Sequence, residues 1–509
     1  MVGSTFQKVR AGLTLERFTF HQWREVSVLH RLLSPLRDWR QGSWLLAWGD
    51  GIAWVFVAAM IALAPYVSTT MIGWLLLASA SFWALLTVSD RAEGWLTPLH
   101  IVVILYWGSM LLATALSPVK VAALSGLIKL TLNVLLFMLL ARVLRIRELR
   151  SGLILVYLLT ALIVSVYGLR QWIFGAEALA TWVDPESNMV GVTRVYSYLK
   201  NPNLLAGYLM PAVSFGAMAI LIWPRWLPKL LAVVMTLTSS ACLVLTLSRG
   251  GWLGFLAMAF VMIVLLIFWW NPSFSPFWRR WALPLLLGGS AAFVVASVLL
   301  VPPMRDRVFS MFALRGDSSN NFRFNVYEAV IEMIQARPIT GIGPGNEAFN
   351  QIYPLFQRPR YTALSAYSIY LETAVEGGIV GILAFGWMLV MTFQQSWLHI
   401  RRLRRMRELG RLTAQRWQEA LGNDGYWLIG AIAAIAGLLM QGTFDTVWYR
   451  PQISTLWWML LAIVASYAVN LADEMRHKYK DTPTLPQPKP IGLLPAQTLD
   501  TQTPNTENT

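Results

Sequence analysis

From Leu227 to Trp270 the chain reads LPKLLAVVMTLTSSACLVLTLSRGGWLGFLAMAFVMIVLLIFWW, and Lys229 and Arg249 are its only charges. A helix needs about 20 apolar residues to cross the hydrocarbon core of a bilayer, so this run is two spans that must turn inside it. The turn falls at Thr246-Leu247-Ser248-Arg249-Gly250-Gly251, where two glycines allow tight backbone geometry that bulkier residues resist. Arg249 is thereby held at the membrane border with almost no loop to carry it away. A charge kept there is a functional-site candidate, and the planar guanidinium suits bidentate capture of phosphate or carboxylate. An arginine that merely snorkels from the helix end is the plainer reading.

Reading outward, twelve such runs can be marked, near 44–66, 70–88, 98–116, 121–141, 152–174, 203–223, 227–247, 251–270, 282–301, 367–393, 425–444 and 453–472. The composition agrees: of 509 residues 56% are hydrophobic and 13% charged, where soluble domains carry about 25% charged residues. The expected fold is an all-α polytopic membrane protein of about twelve transmembrane helices, with a large helical periplasmic loop between spans 9 and 10. Alternating the connections from a cytoplasmic N-terminus puts Arg142, Arg145, Arg147, Arg150, Arg225, Lys229, Arg279, Arg280 and the run Arg401–Arg416 inside. The positive-inside rule favours that orientation in a bacterial inner membrane, with both termini cytoplasmic. It also absorbs most of the net charge of +15, so nucleic acid is not an expected partner. One cysteine, Cys242, leaves no intrachain disulfide and no cysteine-based metal site. No cofactor is expected. Residues 1–43 read as a basic cytoplasmic arm, 44–301 as spans 1 to 9, 302–366 as the periplasmic loop, 367–472 as spans 10 to 12 and 473–509 as a disordered tail.

The 302–366 interval is rich in Phe, Tyr, Ile and Leu, which argues for a folded lid. After Arg323, the spacing of Val326, Ala329, Val330 and Met333 predicts a helix lying along the membrane with one apolar face. Arg337-Pro338 ends it. Gly341-Ile342-Gly343-Pro344-Gly345 then predicts a compact turn able to offer backbone N–H groups to an anion. At the start of the sixth span, Asn201-Pro202-Asn203 reads as a turn with a helix cap supplied by Asn201 or Asn203. Lys129 and Asn133 share one face of the fourth span, where Lys129 either lines a pocket or snorkels outward.

Taken in order, Asn201-Pro202-Asn203, Ser248-Arg249-Gly250-Gly251, Arg323, Pro338 with Gly341-Ile342-Gly343, and Tyr370-Leu371-Glu372 through Gly381 resemble the O-antigen ligase and polymerase superfamily over about residues 190–390. The resemblance implies a periplasmic cavity that handles a lipid-diphosphate-linked glycan. It places Arg249 and Arg323 on the diphosphate, with Asn203, Ser248, Gly341 and Gly343 in support, and Lys129 joins the supporting set by its place on the fourth span. Ligases of the superfamily show Ala-His-Asn where this chain has Ala366-Tyr367-Ser368, and a phenol near pKa 10 is a poor substitute for a histidine base. All five histidines, His21, His30, His100, His399 and His477, fall in or beside cytoplasmic connections. The stretch Ser365-Ala366-Tyr367-Ser368-Ile369-Tyr370-Leu371-Glu372 is similar to a cyanobacterial branch described as bicarbonate transporters of inorganic-carbon accumulation. Two functions therefore stand side by side: a lipid-linked glycan transferase with Glu347, Glu372, Glu376 or Tyr367 as the catalytic candidate, and an anion protein whose arginines hold bicarbonate.

Overall fold

The computed structural model describes residues 42–89, 96–176, 194–300, 318–412 and 424–468, with gaps at 44–45 and 47, and a few positions between 305 and 309. The 473–509 tail, nearly all of the 1–43 arm, residues 177–193 and most of 301–317 lie outside the described residues. Regular structure among the described residues is helical throughout. In chain order the helices are α1 (Gly49–Leu63), α2 (Thr69–Ser89), α3 (Pro98–Ala115), α4 (Lys120–Val143), α5 (Arg147–Phe174), α6 (Pro202–Ile222) and α7 (Trp226–Leu245). They continue with α8 (Arg249–Trp270), α9 (Pro276–Leu300), α10 (Ser318–Ala336), α11 (Asn346–Ile352), α12 (Ile369–Leu412), α13 (Gly425–Gly442) and α14 (Pro451–Ser466). Ten of them, α2 to α9 with α12 and α13, are long and apolar enough to cross a membrane. The chain is a multi-pass membrane protein. The first and last expected spans are the shorter apolar helices α1 and α14.

Helices α6 and α13 form the centre and are buried along most of their length. Their neighbour α8 approaches closely because its glycines leave room: a Cβ on Gly254 would lie 2.6 Å from the Gly437 carbonyl oxygen, and one on Gly251 would lie 2.6 Å from Ala206 Cβ. Without a hydrophobic force between helices in lipid, such small-residue seams supply the contact. This corrects the reading of Gly250 and Gly251 as turn residues. The turn between α7 and α8 is made by Leu247 at φ +52°, and both glycines lie in the first turn of α8. At the other extreme, α9 is apolar and exposed with only Ala282 buried, as befits a helix that meets lipid.

Two features raise the 302–366 interval above a simple loop. The apolar face of α10 is the one the periodicity marks, since Val326, Ala329, Val330 and Met333 are all buried. That face is covered by protein and not left for lipid, however. It packs on Ile342, Phe349, Tyr353, Ala363 and Val375 in a small core of its own. The second feature is a break in α12 at Gly378, whose φ of +60° and ψ of −157° interrupt the helix. The Pro338–Gly345 segment fills the break. Ile342 and Gly343 N–H donate to the carbonyls of Val375 and Glu376 at 2.9 Å, and Ile379 N–H donates to the Pro338 carbonyl at 2.8 Å. Irregular backbone at membrane depth survives only where protein supplies its hydrogen bonds, and here the loop supplies them.

Candidate functional site

Helices α6 and α8 both begin at the same end of the bundle. Asn201 caps α6, its Oδ1 accepting from Asn203 N at 2.8 Å and Leu204 N at 3.3 Å, and Ser248 Oγ caps α8 by accepting from Gly251 N at 3.1 Å. The positive ends of both helix dipoles therefore meet here, a setting that favours anions. Arg249 is the first residue of α8 and only 6% exposed. Its Nη1 donates to Asn320 Oδ1 on α10 at 3.0 Å. Arg323 stands three residues further along α10, hence on the same face one turn away.

A third arginine joins them. Arg194, on the strap before α6, donates from Nε to the Thr246 carbonyl at 3.2 Å and from Nη2 to Asn203 Oδ1 at 3.4 Å. Burial, and after it the charges of Arg249 and Arg323, push its guanidinium down to about 10, with Asp445 pulling the other way. Asp445 lies between α13 and the 3₁₀ turn Val447–Tyr449. Burial pushes its carboxyl above the ordinary value, although Arg323, the Asn203 side chain, the Thr446 N–H and Arg194 all favour the anion. It nonetheless keeps part of its surface open, as a group that exchanges protons needs. Gln441 Nε2, donating to the Asn203 carbonyl at 2.8 Å, ties the α6 strap to the end of α13. The result is three guanidiniums and one partly open carboxylate at two helix N-termini. Such a site can hold a dianion and take up a proton beside it.

The structure brings together only part of the expected set. Arg249 and Arg323 both act on Arg194 through their charges and Asn203 accepts from it; Ser248 contributes as the cap of α8. Tyr367 is close as well, at φ +51°, with its ring edge-on to Phe322 and its carbonyl accepting from Tyr327 Oη at 3.1 Å. Burial first, then Asp445, push its phenol above its ordinary value, with Arg323 opposing, so the hydroxyl stays protonated and does not serve as a base. Glu372 is 5% exposed and its Oε2 accepts from Ala366 N at 2.6 Å and Thr446 Oγ1 at 3.5 Å, which fixes the backbones next to Tyr367 and Asp445. Glu376 Oε1 accepts from Gly345 N at 2.6 Å and closes the loop on α12. Glu347 is far from the arginines in partnership: Lys129 Nζ at 3.0 Å and Ser125 Oγ at 2.9 Å donate to it and hold its carboxyl below the usual range. Lys129 thus takes the outward alternative, with 65% of its side chain exposed. Gly341 and Gly343 do not offer an anion nest, because the N–H of Gly341 donates to Arg337 and that of Gly343 to Glu376.

Arg194, Asn320 and Asp445 were not singled out from sequence. Asp445 carried a signal: it is the one acidic residue in the connection between the last two apolar runs.

Residues 231–386 match the family model described as O-Antigen ligase. The match covers under a third of the chain and includes Arg249, Asn320, Arg323 and Tyr367, while Arg194, Asn203 and Asp445 fall outside it. It supports the likeness to the ligase superfamily; nothing in it bears on bicarbonate. No curated protein matches the chain.

Proposed function

We propose that this protein transfers a glycan from a lipid diphosphate carrier to an acceptor hydroxyl, with the diphosphate among Arg194, Arg249 and Arg323. The acceptor oxygen attacks the anomeric carbon; the bond from that carbon to the phosphate oxygen breaks; the lipid diphosphate leaves with the electron pair, and the acceptor proton passes to Asp445. Two bonds to carbon are exchanged and no oxidant or metal is needed. The observation that carries this reading is the carboxylate set inside the arginine cluster. Arginines alone would bind any anion, bicarbonate included; a carboxylate among them adds a group able to take a proton, which transfer to a hydroxyl requires and the holding of bicarbonate does not. Its raised pKa moves it toward the working pH of a base.

The positive-inside rule further supports an orientation with the basic connections in the cytoplasm of a bacterial inner membrane and this site on the periplasmic face. The test is transfer in reconstituted vesicles supplied with a lipid-diphosphate oligosaccharide and a saccharide acceptor, run beside bicarbonate uptake. Transfer that disappears in Asp445→Asn while the carrier still binds supports the proposal. Bicarbonate uptake that needs Arg249 with no transfer in any preparation overturns it.

A further inference from the structure

A cavity of about 710 Å³ opens at the same end of the bundle and contains none of the arginine-cluster residues. Its walls come from the α1–α2 connection, the last turns of α5 and residues 196–200 of the strap before α6. Three tyrosines lie side by side in it. Tyr167 and Tyr198 stack with ring centroids 4.3 Å apart and 21° between planes, and Tyr66 meets Tyr198 edge-on at 4.8 Å. Arg170 stands 5.8 Å from the Tyr167 ring centre, and Lys200 completes the lining. Neither cation has an acidic partner among the described residues. The wall behind them is rigid: the buried Gln171 accepts through Oε1 from Ser197 N at 2.7 Å and Tyr196 N at 3.2 Å, and Ser197 Oγ donates to the Val164 carbonyl at 2.7 Å. Ser197 at φ +50° and Lys200 at φ +56° hold left-handed backbone on either side of Tyr198. Strain of this kind gathers at ligand clamps.

We propose that this cavity is a saccharide subsite for an acidic sugar, a pyranose ring lying on the tyrosine faces with its carboxylate or phosphate met by Arg170 and Lys200. An interfacial tyrosine belt would scatter its rings around the bundle, whereas these three pack on one another in the wall of one cavity. The strap joins the two sites, since its Arg194 belongs to the arginine cluster and its Tyr198 and Lys200 line the cavity. The assignment of this sugar as the acceptor rests on the transfer reading above; the assignment of the cavity does not.

The experiment uses the full chain in phosphatidylcholine nanodiscs, titrated with trigalacturonate, galactotriose and inorganic phosphate and followed by calorimetry. Trigalacturonate is expected to bind at least about tenfold more tightly than galactotriose, because the charge must be matched as well as the ring. Tyr198→Ala and Arg170→Gln should each weaken it by about tenfold, and Tyr198→Phe, which keeps the stacking ring, by less than about threefold. Arg249→Ala should leave it unchanged. Absence of trigalacturonate binding in the parent protein overturns the proposal. So does binding that is lost in Arg249→Ala and kept in Tyr198→Ala, which would place the sugar in the arginine cluster. Binding that depends on Tyr198 in a protein with no transfer activity keeps the cavity assignment and sinks the transfer reading alone.

Discussion

Asp445 and Tyr367 divide the proton chemistry between them. Both are shifted upward by burial, yet the shift has opposite consequences: it brings a carboxylate toward neutrality and takes a phenol further from it. Asp445→Asn is therefore expected to lower kcat by about 10²- to 10⁴-fold, the usual weight of a general base, with KM little changed. As the base must be ionised, the rate should fall as pH drops through its folded-state pKa. The acid limb should accordingly lie above the ordinary aspartate value near 4, and be absent from the residual activity of the Asn variant. A limb at or below 4 would show that another group takes the proton. Tyr367→Phe should retain activity within about tenfold, a hydrogen bond's worth. In Arg249→Lys, charge is kept but the fork to Asn320 and to a bound phosphate is lost, and a drop of about 10²-fold is expected, as for removal of one oxyanion donor. Arg249 was legible because it stands between two apolar runs that make a charge conspicuous, and Arg323 because it falls in the motif order of the ligase superfamily. Arg194 is the single arginine of the 175–202 interval, but it stands in no motif and beside no apolar run, and only tertiary structure sets it apart.

At the level of elements, the broken helix is where sequence reading and structure part most clearly. Periodicity marked the buried face of α10 correctly because burial leaves a spacing behind it; what covers that face leaves none. The glycines of 341–345 announced an unusual backbone, but an unusual backbone can serve an anion or a neighbouring helix equally well. Contact distances decide for the helix. A Cβ on Gly378 would come within 2.3 Å of the Ile339 carbonyl oxygen, and one on Gly126 of α4 would meet the Pro344 carbonyl oxygen at 1.9 Å. Both oxygens are backbone atoms that cannot swing aside. Gly126→Ala and Gly378→Ala should each cost at least about 1–3 kcal/mol and lower the melting temperature of the purified protein. They should also expose 337–345 to protease, while Gly288→Ala on α9, with nothing within 4 Å, should do neither. Equal melting temperatures for all three would mean that the loop does not depend on this close packing.

For the whole molecule, hydropathy was sufficient to find the helices, since a bilayer imposes one length on them all. It could not rank them, and the structure does: α13 and α6 are interior, α9 is peripheral. The orientation can be tested with an impermeant thiol reagent in a Cys242→Ala background. Thr362→Cys, exposed in the 302–366 interval, should label in whole cells, and Ser275→Cys, exposed in the α8–α9 connection, should label only after lysis. The reverse pattern would invert the protein in its membrane.

The break in α12 also sets an order of assembly. In the proposed orientation α12 enters the bilayer after the 337–345 segment has crossed it, and until that segment docks the carbonyls of Val375 and Glu376 lack the Ile342 and Gly343 donors of the folded protein, at up to several kcal/mol each. A nascent chain in this condition resembles a failed insertion. Deleting 337–345 should therefore be felt first as clearance by membrane quality-control proteases, before any enzyme assay could register it.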